Sequence, residues 1–389
     1  MSPKILLVLH DDSLSGAPVA ALNFTRLLKT RLDIDLSVVV VNYNNVLSEQ
    51  FRGLGISVLT NSDLKVAYPR YQRLRTIRKY ISDLRKNNFR NAIRRINDDY
   101  DIILFNSVVS LDYCRELIPN LTIRKFVFVH ELQNAIDLFL QGDYEIINQM
   151  DGVFVPSEAA RNNLVHHGIK SEKLFKIPLI IEAVENPKKV HTSEFVVGNL
   201  ANPGWPKGFD YFLAIAKYYC EQYPSDSIRF VWKGFRRDTF EYKLSAYEID
   251  NAGLTDVVSL EMKEEPNDVF FQNLDVLIMP SKEDTFGIVM LEAAQWQVPS
   301  IGFSNTGGIQ EFIESYGGLT VPYLSIKQFV QHIKYYYEHR AALRLHGEAA
   351  QKQYLSNHTI NEQVVLQVKT SLTKAGWISE EVRNTSKLN

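Results

Sequence analysis

Residues 281–303 read SKEDTFGIVMLEAAQWQVPSIGF. The stretch opens where one apolar run, DVLIMPS at 275–281, ends, and it closes on another, PSIGF at 299–303. Between them Ile288, Leu291 and Gln295 share one helical face and Val289, Ala293 and Trp296 the other. A helix apolar nearly all round is expected to be buried. Run, helix and run in this order form the repeating unit of a parallel α/β sheet. Glu292 interrupts the apolar helix and is expected to be buried with it. A buried carboxylate without a partner is costly, so a fixed side chain or an arriving polar group must meet it.

The same unit recurs on both sides of this stretch. Upstream in the second half lie FVVGNL, IRFVWKG and DVVSL, and in the first half KILLVLH, LSVVVVN, DIILFNS, KFVFVHE and DGVFVPS. These runs are continuous rather than alternating, as strands covered on both faces require. Helical stretches separate them, the first opened by Pro18,. A polar connection, EAVENPKKVHTSE, precedes the restart of the pattern. From about Ser325 three helical stretches follow without a strand. The expected architecture is α/β with two Rossmann-like open parallel sheets facing a cleft. Residues 1–185 would form an amino-terminal Rossmann-like domain and 186–358 a carboxyl-terminal one. Residues 359–389 would be a helix and tail crossing back to the first domain.

Length and composition allow this. A chain of 389 residues exceeds what one core usually supports,. With 43 basic and 45 acidic residues, the formal charge of -2 creates no global field toward nucleic acid,. The two cysteines, Cys114 and Cys220, have neither metal-ligand nor redox spacing, which fits a reducing cytoplasm,. The opening MSPKILLVLHDD holds too short an apolar run for a signal peptide, and no stretch reaches membrane-spanning length,.

Ligands of open parallel sheets bind beyond the carboxyl ends of the strands. Those ends carry His10 and Asp11, Asn106 and Ser107, His130 and Glu131, Asn199, Lys233 and Gly234, and Ser281 to Gly287. Asp99-Tyr100-Asp101 spells a DxD, but it precedes its strand and so belongs to the opposite edge; we read it as exposed acids. No group of His, Cys and acids has metal spacing, and no metal is expected. Ser15-Gly16-Ala17 opens a helix, where backbone amides can meet phosphate, but it is not GxGxxG, which disfavours a dinucleotide oxidoreductase,.

The segment VGNLANPGWPKGFDYFLAIA followed by PSKEDTFGIVMLEAAQWQVPSIGFSNTGGIQEF resembles the carboxyl-terminal domain of the family 4 retaining glycosyltransferases, which have the GT-B fold. That family places two acids with seven residues between them, Phe-Gly inside and Leu-Glu-Ala closing the motif; Asp284 and Glu292 fill the acidic positions here. The first half resembles it more weakly, through SGAPVAAL and FVHEL. The resemblance implies that 1–185 is the acceptor side and 186–358 binds the nucleotide sugar, with a donor site of Gly16, Ala17, Asn199, Lys207, Lys233, Thr285, Phe286, Gly287, Ile288 and Glu292. His130, Lys207, Asp284 and Glu292 would serve the transfer itself. Glu292 would accept from the ribose hydroxyls of a nucleotide sugar, Lys207 would meet the diphosphate, and the amides of Phe286 to Ile288 would assist as a helix start. The chain departs from the pattern at Asn199, where the family usually has arginine, and at Asp284, usually glutamate. Lys233, Arg236 or Arg237 could restore the missing charge.

The implied activity is metal-independent transfer of a sugar, with retention, from a nucleotide diphosphate sugar to a glycan or lipid-linked acceptor, as in surface polysaccharide assembly. No cofactor is expected beyond the co-substrate, and no nucleic acid. The alternatives are a GT-B-fold sugar-nucleotide epimerase and a non-catalytic paralogue acting as a partner subunit. The segment PRYQRLRTIRKYISDLRKNNFRNAIRRI at 69–96 is basic and amphipathic, and is expected to pack on its own domain or to rest on an anionic membrane surface,. The expected location is cytoplasmic, possible attachment being to the inner face of the membrane.

Overall fold

The computed structural model describes residues 3–66, 78–185, 187, 189–190 and 193–379. Met1–Ile180 with Ile360–Asn389 form one compact unit, and Ile181–Thr359 the other.

The first unit is built on a sheet of seven strands: β1 (Lys4–Asp11), β2 (Asp35–Asn42), β3 (Ser57–Thr60), β4 (Ile102–Asn106), β5 (Arg124–Phe128), β6 (Gly152–Val155) and β7 (Leu174–Lys176). Their order is β3-β2-β1-β4-β5-β6-β7, all neighbours parallel. The apolar runs at 4–10, 36–42, 101–107, 125–131 and 151–157 all became strands. β3 and β7 were not foreseen: they are short, half-buried edge strands, so they show no long apolar run. The second unit holds β8 (Phe195–Leu200), β9 (Ile228–Phe235), β10 (Val258–Met262), β11 (Val276–Met279), β12 (Ser300–Phe303) and β13 (Gly318–Val321). Their order, β10-β9-β8-β11-β12-β13, repeats that of the first sheet and is again parallel. β13, a further edge strand, was also missed. Two such Rossmann-like units make the GT-B fold.

Strand β4 buries every residue and β1 buries its centre, because helices cover both sheet faces,. The three expected helices after Ser325 span Ile326–Glu338, Arg340–Asn357 and Glu362–Lys374. The last belongs to the first unit and packs on β7 and on the helix Gly16–Leu32. Beyond it Trp377 is buried edge-on against Phe126 and Phe154, at 5.3 and 5.2 Å between ring centroids.

Of the basic stretch 69–96, residues 69–77 lie outside the described residues, and the rest starts the helix Arg78–Asp99. The side chains of Arg73, Arg78 and Arg85, expected on its basic face, lie outside them too. Among the described residues no helix is long and apolar enough to cross a membrane.

Candidate functional site

In each sheet the strand order reverses once, between β8 and β11 in the second unit and between β1 and β4 in the first. Loops that leave in opposite directions at such a point open a crevice at the strand ends, and ligands settle there.

In the second unit Asn199 is the next-to-last residue of β8. It is 1% exposed, and among the described residues neither its amide oxygen nor its nitrogen has a hydrogen-bond partner. The hydroxyl of Ser281, just past β11, is likewise buried and without a partner among them. The loop after β8 makes a tight turn at Trp205–Lys207 and reaches Gly208 at φ 72°. A Cβ there would collide with the Pro280 carbonyl, so only glycine lets this loop press against the end of β11,. The turn delivers Lys207, whose Nζ lies 2.6 Å from Oδ2 of the buried Asp284. Asp284 is itself fixed: its N–H donates to the Thr306 carbonyl at 2.8 Å, and Gly308 N–H donates back to its carbonyl at 3.1 Å. Loops following three strands thus meet at one ion pair. Nearby Lys282 donates to Asp210 at 2.7 Å and lies 5.3 Å from the ring centre of the exposed Trp205.

The helix start expected at Phe286 to Ile288 falls at the last of these residues. The helix spans Ile288–Gln295, with Gly287 at φ 79° immediately before it. Asp284 is extended instead, in a parallel bridge with Gly307. The first amides of this helix still lack intrahelical partners, so Phe286, Gly287 and Ile288 end a loop at a positive helix start. Thr285 and Phe286 are buried beside them, and the Phe286 ring packs against Phe312 and His358.

Glu292 is partly buried rather than fully so. It also has a fixed partner that the sequence did not reveal, because the side chain of Asn267, first residue of the helix Asn267–Asn273, hydrogen-bonds to it. Burial raises the carboxyl to about 7; the Asn267 bond opposes this and the charge of Asp268 adds to it,. Lys233 is placed differently from the expectation. Its stem is enclosed and its Nζ donates to the Met262 carbonyl at 2.9 Å, so its charge is engaged inside the unit. Arg236 and Arg237 are exposed on the loop after β9.

In the first unit a buried polar cluster occupies the reversal point. Asn106 donates through Nδ2 to the Ala17 carbonyl at 3.0 Å, and its Oδ1 lies 2.9 Å from His130 Nε2. Gly16 and Ala17 therefore start a helix whose first turn is tied to β4. Ser107 has φ 87°, a sparsely populated region for a residue with a side chain, and strain of this kind persists only where surrounding contacts enforce it,. Its N–H donates to the Phe128 carbonyl at 2.8 Å, and its Oγ caps the helix Val108–Tyr113 at 3.1 Å from Val109 N. Glu131 accepts from the N–H of His130 at 2.9 Å and of Val108 at 3.3 Å, and from the Ser107 hydroxyl. Burial pushes Glu131 up to about 7, against the pull of these donors. His130 stacks on Phe128 at 4.2 Å, and burial with the neighbouring His10 lowers its pKa to about 3. His10 is lowered too, by burial.

Asp101 accepts from Lys4 N–H at 2.8 Å, which puts the DxD at the amino edge of the sheet. Among the described residues no three His, Cys, Asp or Glu side chains are grouped to hold a metal.

Comparison with known proteins adds the following. Residues 194–339 match the family described as glycosyl transferases group 1. An uncharacterized glycosyltransferase of Haemophilus influenzae is 23% identical over 110 residues, 28% of this chain and 29% of that relative's length. Anabaena HepE, in complex with UDP and glucose, superposes with a TM-score of 0.76 at 15% identity, covering 95% of this chain and 99% of that one. TarM gives 0.74 at 13% identity, covering 96% and 98%. Sucrose-phosphate synthase from Thermosynechococcus elongatus gives 0.72 at 16%, covering 95% and 98%. Residues 194–339 are thus similar to the group 1 glycosyl transferases, and the chain that carries them has the GT-B fold.

Proposed function

We propose that this chain is a retaining glycosyltransferase that moves a sugar from a nucleotide diphosphate sugar to a glycan or lipid-linked acceptor without a metal ion. The observation that carries the reading is the Lys207–Asp284 pair, 2.6 Å apart and set beside the start of the helix Ile288–Gln295. A diphosphate brought there competes with Asp284 for the Lys207 ammonium and meets the amides of residues 286–288. Glu292 accepts from the ribose hydroxyls, and Asp284 accepts from a hydroxyl of the sugar. The bond from the anomeric carbon to the phosphate oxygen breaks as the acceptor oxygen bonds on the same face. The departing phosphate oxygen takes the acceptor's proton. Orientation and charge stabilisation are then the protein's contribution.

The donor class is supported by what the structural relatives hold: HepE was solved with UDP-glucose, and S. aureus TarM with UDP and alpha-GlcNAc-glycerol. Sugars of UDP are therefore the first donors to test, with GDP and ADP sugars beside them. A nucleotide present at 100 times its dissociation constant should stabilise the chain by about 2.7 kcal/mol. If no nucleotide raises the melting temperature, the donor site is wrong.

Asn199 and Asp284 favour a second reading, a partner subunit that has lost turnover, since both depart from the residues of the resembled family. Incubation with donor and acceptor separates the readings: a transferase yields product, an epimerase frees sugar without acceptor, and the subunit does neither. The basic segment 69–96 supports attachment to an anionic membrane surface on the cytoplasmic side. Cosedimentation with anionic vesicles should fall with salt and with Arg73, Arg78 and Arg85 changed to Glu; equal binding to neutral vesicles would dismiss it.

A further inference from the structure

The turn that delivers Lys207 also carries an exposed tryptophan. Trp205 is 57% exposed, whereas Trp232, Trp296 and Trp377 are buried. Its ring is held from behind rather than left free. Lys282 lies over it, 5.3 Å from the ring centre, and over the Tyr211 ring at 4.8 Å, while its ammonium is tied to Asp210 at 2.7 Å. The Lys282 side chain is itself enclosed. Its main-chain N–H donates to the Pro206 carbonyl at 2.8 Å, so the turn is clasped at the residue next to Trp205 as well. The same two loops are thus joined twice, Trp205 meeting Lys282 and, two residues further along each, Lys207 meeting Asp284. The indole and the Lys207 ammonium therefore belong to one fixed turn. Beyond Lys282 the ring contacts continue. Tyr211 packs edge-on against Phe303, the last residue of β12, at 5.9 Å, and Phe303 edge-on against Tyr323, just past β13, at 5.8 Å. Tyr323 is 44% exposed. A row of contacting groups thus follows the carboxyl ends of β8, β11, β12 and β13, with an exposed aromatic ring at each end.

We propose that this row binds a glycan acceptor of several sugars, Trp205 stacking the sugar ring nearest the Lys207–Asp284 pair and Tyr323 a ring farther along the glycan. That the glycan is the acceptor rests on the glycosyltransferase reading; that the row binds sugar rings does not. A pyranose presents slightly positive C–H groups on a flat face, and the negative face of an aromatic ring attracts them. Rings that are already immobilised give this contact area at little cost in freedom. Lys282 covers one face of the indole and leaves the other to the sugar. Asp210 beside it offers a carboxylate to the hydroxyls at the sugar's rim,. The same carboxylate disfavours a lipid chain, which would take an exposed charge out of water,. Continuity with Lys207 commits the surface to the molecule that reacts there.

The test uses the full chain and its tryptophan fluorescence. Because the other tryptophans are buried, quenching by iodide reports Trp205. The probes are cellotetraose, chitotetraose and maltotetraose at millimolar concentration. At least one should shield Trp205 from iodide, and the matching disaccharide should bind about three- to tenfold more weakly because it spans fewer rings. In calorimetry Trp205→Ala should weaken the tetrasaccharide about tenfold or more, and Trp205→Phe should restore most of that loss. Tyr323→Ala should bring the tetrasaccharide down to the affinity of the disaccharide. Stabilisation by UDP should be the same in all three variants, which shows that each is folded. Shielding by none of the tetrasaccharides overturns the proposal and leaves the donor site standing. So does binding that survives Trp205→Ala. Shielding by phosphatidylglycerol vesicles and by no sugar overturns it in favour of a lipid surface. Tetrasaccharide binding that depends on Trp205, in a wild type that binds no nucleotide, would uphold the sugar surface and count against the glycosyltransferase reading.

Discussion

At the strand ends of the first unit, polar side chains satisfy one another. Asn106 serves Ala17 and His130, Ser107 serves Val109 and Glu131, and Glu131 gathers two backbone amides besides. At the matching ends of the second unit they do not: Asn199 and Ser281 are buried with unpaired polar atoms, and the principal bond is a single ion pair. The topology is the same in both sheets, so the difference lies in the loops. A network whose groups are all paired is rigid and holds a ring in place. Groups left short of partners are costly, and that cost can be relieved by a ligand that supplies the missing bonds. Under the proposed function the second unit's strand ends still have bonds to offer a donor, whereas those of the first are spent on one another.

The contrast is open to attack where the expected effects are largest. Lys207→Ala should cut kcat by about 10²- to 10³-fold while nucleotide affinity falls less than about tenfold, because charge on the leaving diphosphate grows toward the transition state. An equal loss in both, measured by steady-state kinetics and calorimetry, would make Lys207 a simple binding residue. Gly208→Ala strains a left-handed backbone and meets the Pro280 carbonyl. It should cost about 3 kcal/mol in urea unfolding, or displace the loop and abolish nucleotide binding. An unperturbed variant would show that the loop is free of β11.

Glu292→Gln should weaken nucleotide binding by about 10- to 100-fold, the worth of a charge-assisted pair of about 1.5 to 3 kcal/mol, with the fold retained. Its ordinary value of 4.5 is raised to about 7, and the ribose hydroxyls prefer the ionised form. Wild-type affinity should therefore decline as pH falls below 7, and Glu292→Gln should remove that component. A pH dependence equal in both proteins would clear Glu292 of the role.

The smallest effect concerns the first unit. The folded-state value of Glu131, about 7, exceeds the ordinary 4.5, so the native state holds this proton more tightly. Its contribution to stability is complete below about pH 4.5 and is lost as pH rises through 7,. Glu131→Gln has no such titration. Between pH 5 and pH 8 the wild type should lose about 1 to 2 kcal/mol relative to the variant in denaturant melts. Parallel stability curves would mean that the carboxyl is not desolvated.

Much of this was legible in the order of residues. Long apolar runs fixed which strands lie inside the sheets, and their polar endings pointed to Asn106, His130, Asn199 and Asp284. Edge strands were not legible, since SVLT at β3 and GLTV at β13 are short and half-solvated. Glu292 stood out as an acid in an apolar helix, yet Asn267, which meets it, looks like any polar residue after a proline. Its role exists only because two helices approach each other. Lys233 looked like a spare cation because sequence does not tell which way a strand-end side chain turns; here it turns inward. The twist of Ser107 has no signature either, for it is imposed by its neighbours rather than by its own preference.

The buried Trp377 has a consequence for synthesis. It fills the space against Phe126 and Phe154, but emerges from the ribosome only after the whole second unit. The first unit, though begun first, cannot close its core until Trp377 has been made, while the second unit holds its entire sheet in one continuous segment and can fold ahead of it,. During that interval the apolar face awaiting Trp377 is open to chaperones and to aggregation. A chain ended just before Trp377 should hold a protease-resistant second unit and a protease-sensitive first one, the reverse of the order in which they were made.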